Sequence, residues 1–334
     1  LPRFIGQRLL LVIPMLWIAL TLVFVLLRVA PGDPVTAALG SHLTPAAIAV
    51  RKAQLGLDKP LIVQYWDYLS SVAQLNFGTT FTDKQPVTTV IATNGGATLT
   101  LTVAAFLIAL VIGIPLGLLA GRLRDKPADV IIRLFGIMTY AAPVFFTGLL
   151  VQLYVAPLLG LDTSGQASPI TTFDVPTRTH ILLLDATLAG QWGSVVDILK
   201  HLFLPALTLG ILICGVFIRL VRVNILQTMQ SDYVEAAQAR GIAPGRVLRK
   251  HAFRNALVPV ITIIGLQVAL LLAGAVLTET TFNWPGLGFK LTQYIEGLDY
   301  GAVQGIITLF TVVIIVVSLL VDIVNALIDP RVRY

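Results

Sequence analysis

Six long apolar runs, separated by polar stretches, dominate the pattern of the chain. Each is long enough to cross the hydrocarbon core of a bilayer as a helix, which takes about 20 residues. A segment inside lipid must satisfy its own backbone hydrogen bonds, so these runs cannot cross as open strands. The pattern predicts an all-α polytopic membrane protein with six transmembrane helices, at residues 9–29, 99–120, 131–155, 202–221, 257–278 and 306–326.

Prolines and glycines interrupt two of these runs. Gly113, Pro115 and Gly117 lie within the second run, and Pro143 lies within the third. Neighbouring helices in a membrane protein can satisfy the backbone groups that such residues leave unpaired. The sequence therefore predicts kinks at these positions in the second and third spans.

The polar stretches divide the chain into segments. An N-terminal segment with the first span (1–30) is followed by an insertion (31–97), a core domain with five spans (98–330) and a tail (331–334). The core domain contains two long polar loops, at 156–201 and 223–256. Loops of this length in compact proteins are usually structured or functional.

The insertion after the first span carries two amphipathic patterns at helical spacing. The first follows Thr44 and stops at Gly56, and the second restarts after Pro60. The helical spacing predicts two short helices, each with one apolar face. The aromatic residues Tyr65 and Trp66 of the second helix leave two alternatives open: packing on the core or on a partner, or resting at the membrane surface as interfacial aromatics.

Composition and charge set the environment and the orientation. Hydrophobic residues make up 56% of the chain and charged residues 12%, with a mean hydropathy of +0.88, which excludes a soluble globular domain. The first run is too long for a secretory signal peptide and lacks a small-residue cleavage site, so we expect it to be retained. Lys and Arg concentrate at both termini and in loop 223–256, which predicts that these are cytoplasmic and that the insertion and loop 156–201 are external.

The chemistry-bearing residues are sparse. The chain has one cysteine, Cys214, inside the fourth run, where it is expected to pack as a small apolar residue. The four histidines show no metal-ligand spacing, and no phosphate-binding loop pattern occurs. We therefore expect no catalytic, cofactor-binding or metal site. The sequence pI of 9.6 is explained by the inside-positive pattern and does not indicate nucleic-acid binding.

The most informative polar segment is residues 231–260. Asp232 and Glu235 have the form of a capping box that starts a short helix. Gly241 supplies the left-handed conformation that ends such a helix, and Pro244 opens another. The pattern predicts two helices joined by a tight bend, with small alanines that would let another protein approach the first helix closely. An ordinary loop that only fixes topology would leave this pattern without a reason.

This segment resembles a known family. Glu235, Ala236, Ala237 and Gly241 match the EAA…G loop of the permease subunits of bacterial ABC importers, and the ending RNALVP resembles the dipeptide, oligopeptide and nickel branch. The pieces RVAPGDPV, LGLDKPLIVQYWDYL, FGTTF and QPV resemble the B-type permease subunit of peptide importers, and TETTFNWPGLG resembles a recurring stretch of the family. The resemblance implies a type I permease fold. It also implies that the following residues dock on the ATPase: Asp232, Tyr233, Glu235, Ala236, Ala237, Arg240 and Gly241.

The resemblance further implies a task and partners. The chain would form half of a pathway for dipeptides or short oligopeptides across the bacterial cytoplasmic membrane, and a nickel importer remains the alternative. It would assemble with a second, different permease subunit, two ATPase subunits or one fused ATPase, and an extracytoplasmic solute-binding protein, surrounded by membrane lipid. ATP and Mg²⁺ would bind to the ATPase partners. A secondary transporter is the weaker class because ionisable residues are scarce within the runs, and a stand-alone channel would need no ATP.

Several aromatic and turn residues are candidates for external contacts with the binding protein or for an external gate. They are Tyr65, Trp66, Trp192, Trp284, Pro285 and Gly286. Loop 156–201, which contains Trp192, could equally be a solvated loop that shields the pore. Glu279, at the end of the fifth run, either faces the pathway or marks the water boundary. The boundary is favoured because polar residues at span ends cost little free energy.

Overall fold

The structure is a computed structural model that describes residues 2–29, 45–54 and 56–328. Helix α1 (Pro2–Val29) is followed by α2 (Pro45–Gln54), α3 (Leu61–Ala73), α4 (Val87–Arg122), α5 (Pro127–Ala141) and α6 (Val144–Leu150). A π-helical turn (Val151–Val155) leads to α7 (Ala156–Leu159), α8 (Pro169–Asp174), α9 (Leu182–Leu188) and α10 (Trp192–Met229). The chain continues through α11 (Asp232–Ala239), α12 (Pro244–Arg246), a second π-helical segment (Val247–Ala252), α13 (Phe253–Ala256), α14 (Val258–Thr281), α15 (Leu287–Glu296) and α16 (Tyr300–Ile328).

The all-α class is confirmed in the described residues, and the six predicted spans correspond to five unbroken helices and one bent helix pair. Five helices (α1, α4, α10, α14 and α16) are each long and apolar enough to cross a membrane. The third predicted span consists of α5 and the helix at 144–159, which meet at an angle of 107°. Pro143 explains the break, because its ring pushes the preceding Ala142 into extended backbone with ψ of 131°. The predicted kink at Pro143 is confirmed.

The prolines and glycines of the second span do not break its helix. Helix α4 runs without a break from Val87 to Arg122 and contains Pro115. Its glycines let two helix backbones approach closely instead: a Cβ on Gly113 would lie 2.7 Å from Cβ of Phe217, and one on Gly117 would lie 2.8 Å from the carbonyl of Ile218. Small residues at helix interfaces are a usual means of tight packing in membranes. The α4–α10 pair forms the centre of the fold.

Helix α5 lies antiparallel to α10 and packs against it. Gly136 on α5 lies against Gly215 on α10, where a Cβ on Gly215 would clash with the Gly136 backbone. Further along the same contact, Asp129 at the start of α5 binds Arg222 on α10. The broken third span is therefore held to α10 along its first half.

The two helices predicted in the insertion are confirmed as α2 and α3. Gly56, between them, has a positive φ of 65°, which glycine adopts without a steric penalty. The proposed helix start at Thr44, residues 31–44 of the insertion and the tail 331–334 lie outside the described residues.

Several predicted boundaries fall inside observed helices. Helix α4 begins at Val87, ten residues before the predicted end of the insertion at residue 97. Helix α10 begins at Trp192 and ends at Met229, so it takes up the end of loop 156–201 and the start of loop 223–256. An apolar window detects only the part of a helix that crosses hydrocarbon, whereas these helices continue into polar sequence.

Some aromatic residues of α3 pack on the rest of the protein and one lies at the surface, so each of the two alternatives left open for this helix holds in part. Tyr65 packs edge-on against Phe24 of α1 at 5.3 Å between ring centroids, and its hydroxyl lies 2.7 Å from Oγ1 of Thr21. Tyr68 reaches Thr308 of α16 at 3.1 Å. Trp66 remains 61% exposed. Helix α3 is therefore packed onto the first and last spans, and Trp66 stays available at the surface.

Candidate functional site

The loop predicted to couple begins with helix α11, which starts at Asp232 as expected. The capping box is wrong, however. Ser231 occupies the N-cap position, and its hydroxyl donates back to the carbonyl of Thr228 at 2.5 Å instead of capping α11. Asp232 is already the first helical residue, one position too late for its carboxylate to act as the N-cap. Both Asp232 and Glu235 lie in the first turn, where negative charge is favoured by the helix dipole.

The bend after α11 forms as predicted. Gly241 has φ of 72°, in the left-handed region, and its surroundings leave open space around an added Cβ. Backbone conformation, and not crowding, is therefore the reason for a glycine at this position. Pro244 opens the following helix, which is also confirmed.

The two alanines of the loop have different environments. Ala236 is exposed, together with Asp232, Glu235, Arg240 and the partly exposed Tyr233, so these side chains form the outer face of α11. Ala237 is 6% exposed and packs with Val234 and Val247 in a small apolar cluster. The prediction that Ala237 faces a partner is wrong, because the helical period turns it a further 100° away from Ala236 towards the loop's own core.

The second arm of the loop is anchored in the membrane domain. Leu248, Ala252 and Ala256 are buried in the main core together with residues of α4 and α10. Residues Val247–Ala252 form a π-helical segment, a geometry that often occurs at functional sites. A displacement of α11 would therefore reach the spans through a packed connection.

A buried ion pair that the sequence did not reveal supports the end of α10 that leads into the loop. Nε and Nη2 of Arg222 donate to the two carboxylate oxygens of Asp129 at 2.7 and 2.8 Å, and Asp129 is fully buried. The backbone N–H of Asp125 adds a third hydrogen bond at 3.1 Å. Such a forked pair is strong and directional, so it fixes α10 relative to the third span. The only signal in the sequence was an acid in the first turn of a helix.

A hollow of about 280 Å³ lies beside this pair, at the point where α10 ends. Its lining includes Arg124, Leu226, Gln227 and Gln230. Gln230, at one edge of the hollow, lies two residues before α11 begins.

On the side predicted to be external, some of the candidate contact residues are exposed and others are buried. Trp192 is 69% exposed at the first residue of α10, and Pro285 is exposed. Trp284, by contrast, is completely buried and donates from Nε1 to the carbonyl of Ala97 at 3.0 Å, while Gly286 is buried beside Glu279. Trp284 and Gly286 therefore cannot contact a docked external protein directly, and the prediction of such a contact is wrong for these two.

Glu279 is not at a water boundary. It is fully buried and accepts hydrogen bonds from the Thr98 hydroxyl at 2.7 Å and from the backbone N–H of Phe289 at 3.0 Å. Hydropathy placed Glu279 at a span end, but it could not show that the following turn folds back over the carboxylate. The glycines at 286 and 288 were the available signal, because a Cβ at either position would collide with the Glu279 side chain.

The remaining chemical candidates are structural. Cys214 is fully buried, and its thiol donates to the carbonyl of Ile211 at 3.0 Å, which confirms the packing role. In the part of the chain that the structure describes, no three His, Cys, Asp or Glu side chains form a group that could hold a metal ion.

Comparison with known families identifies two matches that together cover most of the chain. Residues 113–334 match the family described as binding-protein-dependent transport system inner membrane component. Residues 1–102 match the N-terminal family of the same transport-system membrane components.

Full-length relatives are named for peptide and glutathione transport. The di/tripeptide transport system permease protein DppB of Pseudomonas aeruginosa is 40% identical over 333 residues, covering 99% of this chain and 98% of the relative. The dipeptide transport system permease protein DppB of Escherichia coli K12 is 38% identical over 336 residues, with 99% of each chain covered. The glutathione transport system permease protein GsiC of Salmonella typhi is 34% identical over 333 residues, again with 99% of each chain covered.

Proposed function

This chain belongs to the family of binding-protein-dependent transport system inner membrane components, and on that premise we propose that it imports dipeptides or short oligopeptides. It is a multi-pass permease subunit of an ATP-binding-cassette importer in the bacterial inner membrane. The observation that carries the substrate class is the likeness to peptide permeases over 99% of the chain. The nickel alternative is not favoured, because these relatives are named for peptides and glutathione.

Membership of this family places the chain in a transporter complex with other subunits. We propose that these are a second, different permease subunit, two ATPase subunits or one fused ATPase, and an extracytoplasmic solute-binding protein. ATP and Mg²⁺ would bind to the ATPase partners, while this chain supplies half of the pathway and no hydrolytic chemistry. Both termini and the loop at α11 would face the cytoplasm, as the inside-positive pattern indicates.

The outer face of α11 is the proposed docking site for the ATPase. Asp232, Tyr233, Glu235, Ala236 and Arg240 would make the contact, and the adjoining hollow gives room for an apposed surface. Because the side chain of Ala236 is small, the centre of this face does not protrude, and a partner helix can approach the α11 backbone closely.

The loop geometry supports a mechanical role. Gly241 sets the angle between α11 and the second arm, and that arm is rooted in the core through Leu248, Ala252 and Ala256. When the ATPase partners close on ATP, the displacement of α11 would turn the second arm and with it α10 and α14. The pathway would then alternate between an external and a cytoplasmic opening.

The proposed function predicts a specific uptake defect. Cells that lack this chain should lose uptake of a labelled dipeptide and keep uptake of nickel, because the chain supplies half of a peptide pathway. Wild-type chain should restore uptake, whereas Glu235→Lys should not, because it reverses a charge on the docking face without touching the core. Uptake of both labelled substrates is measured in parallel with the amount of the chain in the membrane. Loss of nickel uptake with normal peptide uptake would refute the peptide assignment.

The two neighbouring alanines allow a matched pair of variants. Ala237→Asp should destabilise the chain by about 3 kcal/mol or more, since it buries an unpaired charge among Val234 and Val247. Ala236→Asp should change stability by less than about 0.5 kcal/mol, because the site is exposed. It should nevertheless weaken copurification of the ATPase partners. Thermal unfolding in detergent and copurification measure the two effects, and equal stability losses in both variants would contradict the assignment of faces.

A further inference from the structure

The short external helix α15 has its N-terminus capped by side chains of two other helices. The N–H of Leu287 donates to Oγ1 of Thr98 on α4 at 2.8 Å. The N–H of Phe289 donates to Oε2 of Glu279 on α14 at 3.0 Å, and the N–H of Gly288 also binds this carboxylate. Thr98 in turn donates to Oε1 of Glu279 at 2.7 Å. The first three amides of α15 are therefore satisfied by α4 and α14, which joins three helices at one point.

This junction is closely packed and buried. Glu279 is 0% exposed and Thr98 is 4% exposed. A Cβ on Gly288 would lie 2.5 Å from Cα of Val276, so the turn has no room to shift against α14. Trp284, buried in the same turn, donates to the carbonyl of Ala97 on α4 at 3.0 Å. A shift at the junction that kept water out would leave a carboxylate and several amides buried without partners, which is strongly unfavourable.

The rest of α15 is tied to the end of the insertion. Oδ2 of Asp83 accepts from the hydroxyl of Tyr294 at 2.7 Å and pairs with Nζ of Lys290 at 3.0 Å. The hydrogen bond from Tyr294 lowers the pKa of Asp83, with Lys290 acting in the same direction, so this carboxylate stays ionised at neutral pH.

A second carboxylate, that of Asp299, connects residues 77–86 to α16. Asp299, just before α16, accepts from the backbone N–H of Phe81 at 2.5 Å and of Thr82 at 3.3 Å. It also accepts from the N–H of Ala302 at 3.3 Å, inside the first turn of α16. Residues 77–86 are thereby attached to α16 as well as to α15.

We propose that residues 77–86, α15 and the external ends of α4, α14 and α16 form one rigid unit, the external strut, with Glu279 as its positioning residue. The strut stays intact through the transport cycle, and the external side of the pathway opens at other surfaces. The inference rests on the proposed import function. It goes beyond that function by stating which external contacts do not open.

A designed disulfide tests whether the strut opens. A Cβ on Gly297 lies 3.2 Å from Oγ1 of Thr82, and Gly297 has φ of −79°, so Thr82→Cys with Gly297→Cys places two thiols close together without backbone strain. The native Cys214 is buried and does not compete. In vesicles that contain the complete importer, uptake of a labelled dipeptide by the double variant should be the same after oxidation and after reduction. Each single-cysteine variant is the control for oxidation itself.

Loss of uptake on oxidation, with recovery on reduction, would overturn the rigid strut. If peptides are not the substrate, the wild-type importer would take up no peptide, and this result is distinguishable from an opening strut. In that case the rate of disulfide formation still tests the strut, since it needs no substrate. The rate should be equal in nucleotide-free importer and in importer arrested with ATP and vanadate, and a slower rate in the arrested state would overturn the proposal.

The positioning role of Glu279 is tested in the same double-cysteine background. Glu279→Ala removes the acceptor of the Gly288 and Phe289 amides and leaves only Oγ1 of Thr98 at the α15 N-terminus, so disulfide formation should slow and uptake should fall. Glu279→Gln keeps a carbonyl oxygen for the two amides and should restore both towards the parent values. A disulfide that forms at the parent rate in Glu279→Ala would show that Glu279 does not position α15.

Discussion

Replacement of Gly241 by valine should reduce peptide uptake about tenfold or more while the ATPase partners continue to hydrolyse ATP, a loss typical of a broken coupling between two sites. Gly241 sits at φ of 72°, and a β-branched residue is strongly disfavoured in the left-handed region. The bend would adopt another angle, so that a displacement of α11 would no longer be transmitted to α10 and α14. Uptake and ATP hydrolysis in vesicles containing the complete importer measure the two activities separately.

The chain supplies a control that isolates backbone conformation from side-chain bulk. An added Cβ meets no atom within 4 Å at either Gly241 or Gly245, but only Gly241 has a positive φ. Gly241→Ala should therefore impair uptake, and Gly245→Ala, in the helical arm, should leave it unchanged. If Gly241→Val transports at the wild-type rate, the bend does not couple hydrolysis to transport.

Arg222→Ala should destabilise the folded chain by about 3 kcal/mol, because it leaves the buried carboxylate of Asp129 with only the more distant Arg133 at 3.5 Å and the N–H of Asp125. The same substitution releases the end of α10 from the third span, so importer assembly should fall with stability. Arg222→Lys keeps the charge and loses the forked geometry, and an intermediate stability is expected. Thermal unfolding of the detergent-solubilised chain and its yield in membranes measure the effect.

A neighbouring surface pair provides the matched comparison. Arg124 pairs with Asp125 at 3.2 Å, with side chains that are 55% and 77% exposed. Exposed ion pairs contribute little, so Arg124→Ala should cost less than about 1 kcal/mol. Equal losses for Arg124→Ala and Arg222→Ala would mean that the buried pair has no special role in holding the third span.

The candidate coupling loop shows how much of a site can be predicted from the local sequence. Gly241 and Pro244 were correctly placed because each is required by the backbone conformation of its own position. The outer face of α11 was only partly correct, since adjacent alanines look alike in a sequence. The apolar cluster with Val247, ten residues beyond Ala237, decides that Ala237 faces inward.

The side predicted to be external shows where such reasoning fails. Glu279 was assigned to the water boundary because its place in the sequence is the end of an apolar run. The partner that buries it, Thr98, is 181 residues away along the chain. Neither residue type nor local spacing could indicate that contact, and the same holds for Asp129 and Arg222, which are 93 residues apart.

The sequence by itself determined that this is a helical protein of the membrane with six spans, a two-helix insertion, a break at Pro143 and a bent loop at Gly241. These features follow from hydropathy, from the steric effect of the proline ring on the preceding residue and from the freedom of glycine, all of which act within a few residues. The tertiary structure alone decided which polar groups are buried and which glycines serve close packing. Those outcomes depend on side chains from distant segments meeting in one place, and a buried carboxylate such as that of Asp129 or Glu279 is stable only because its partners are there.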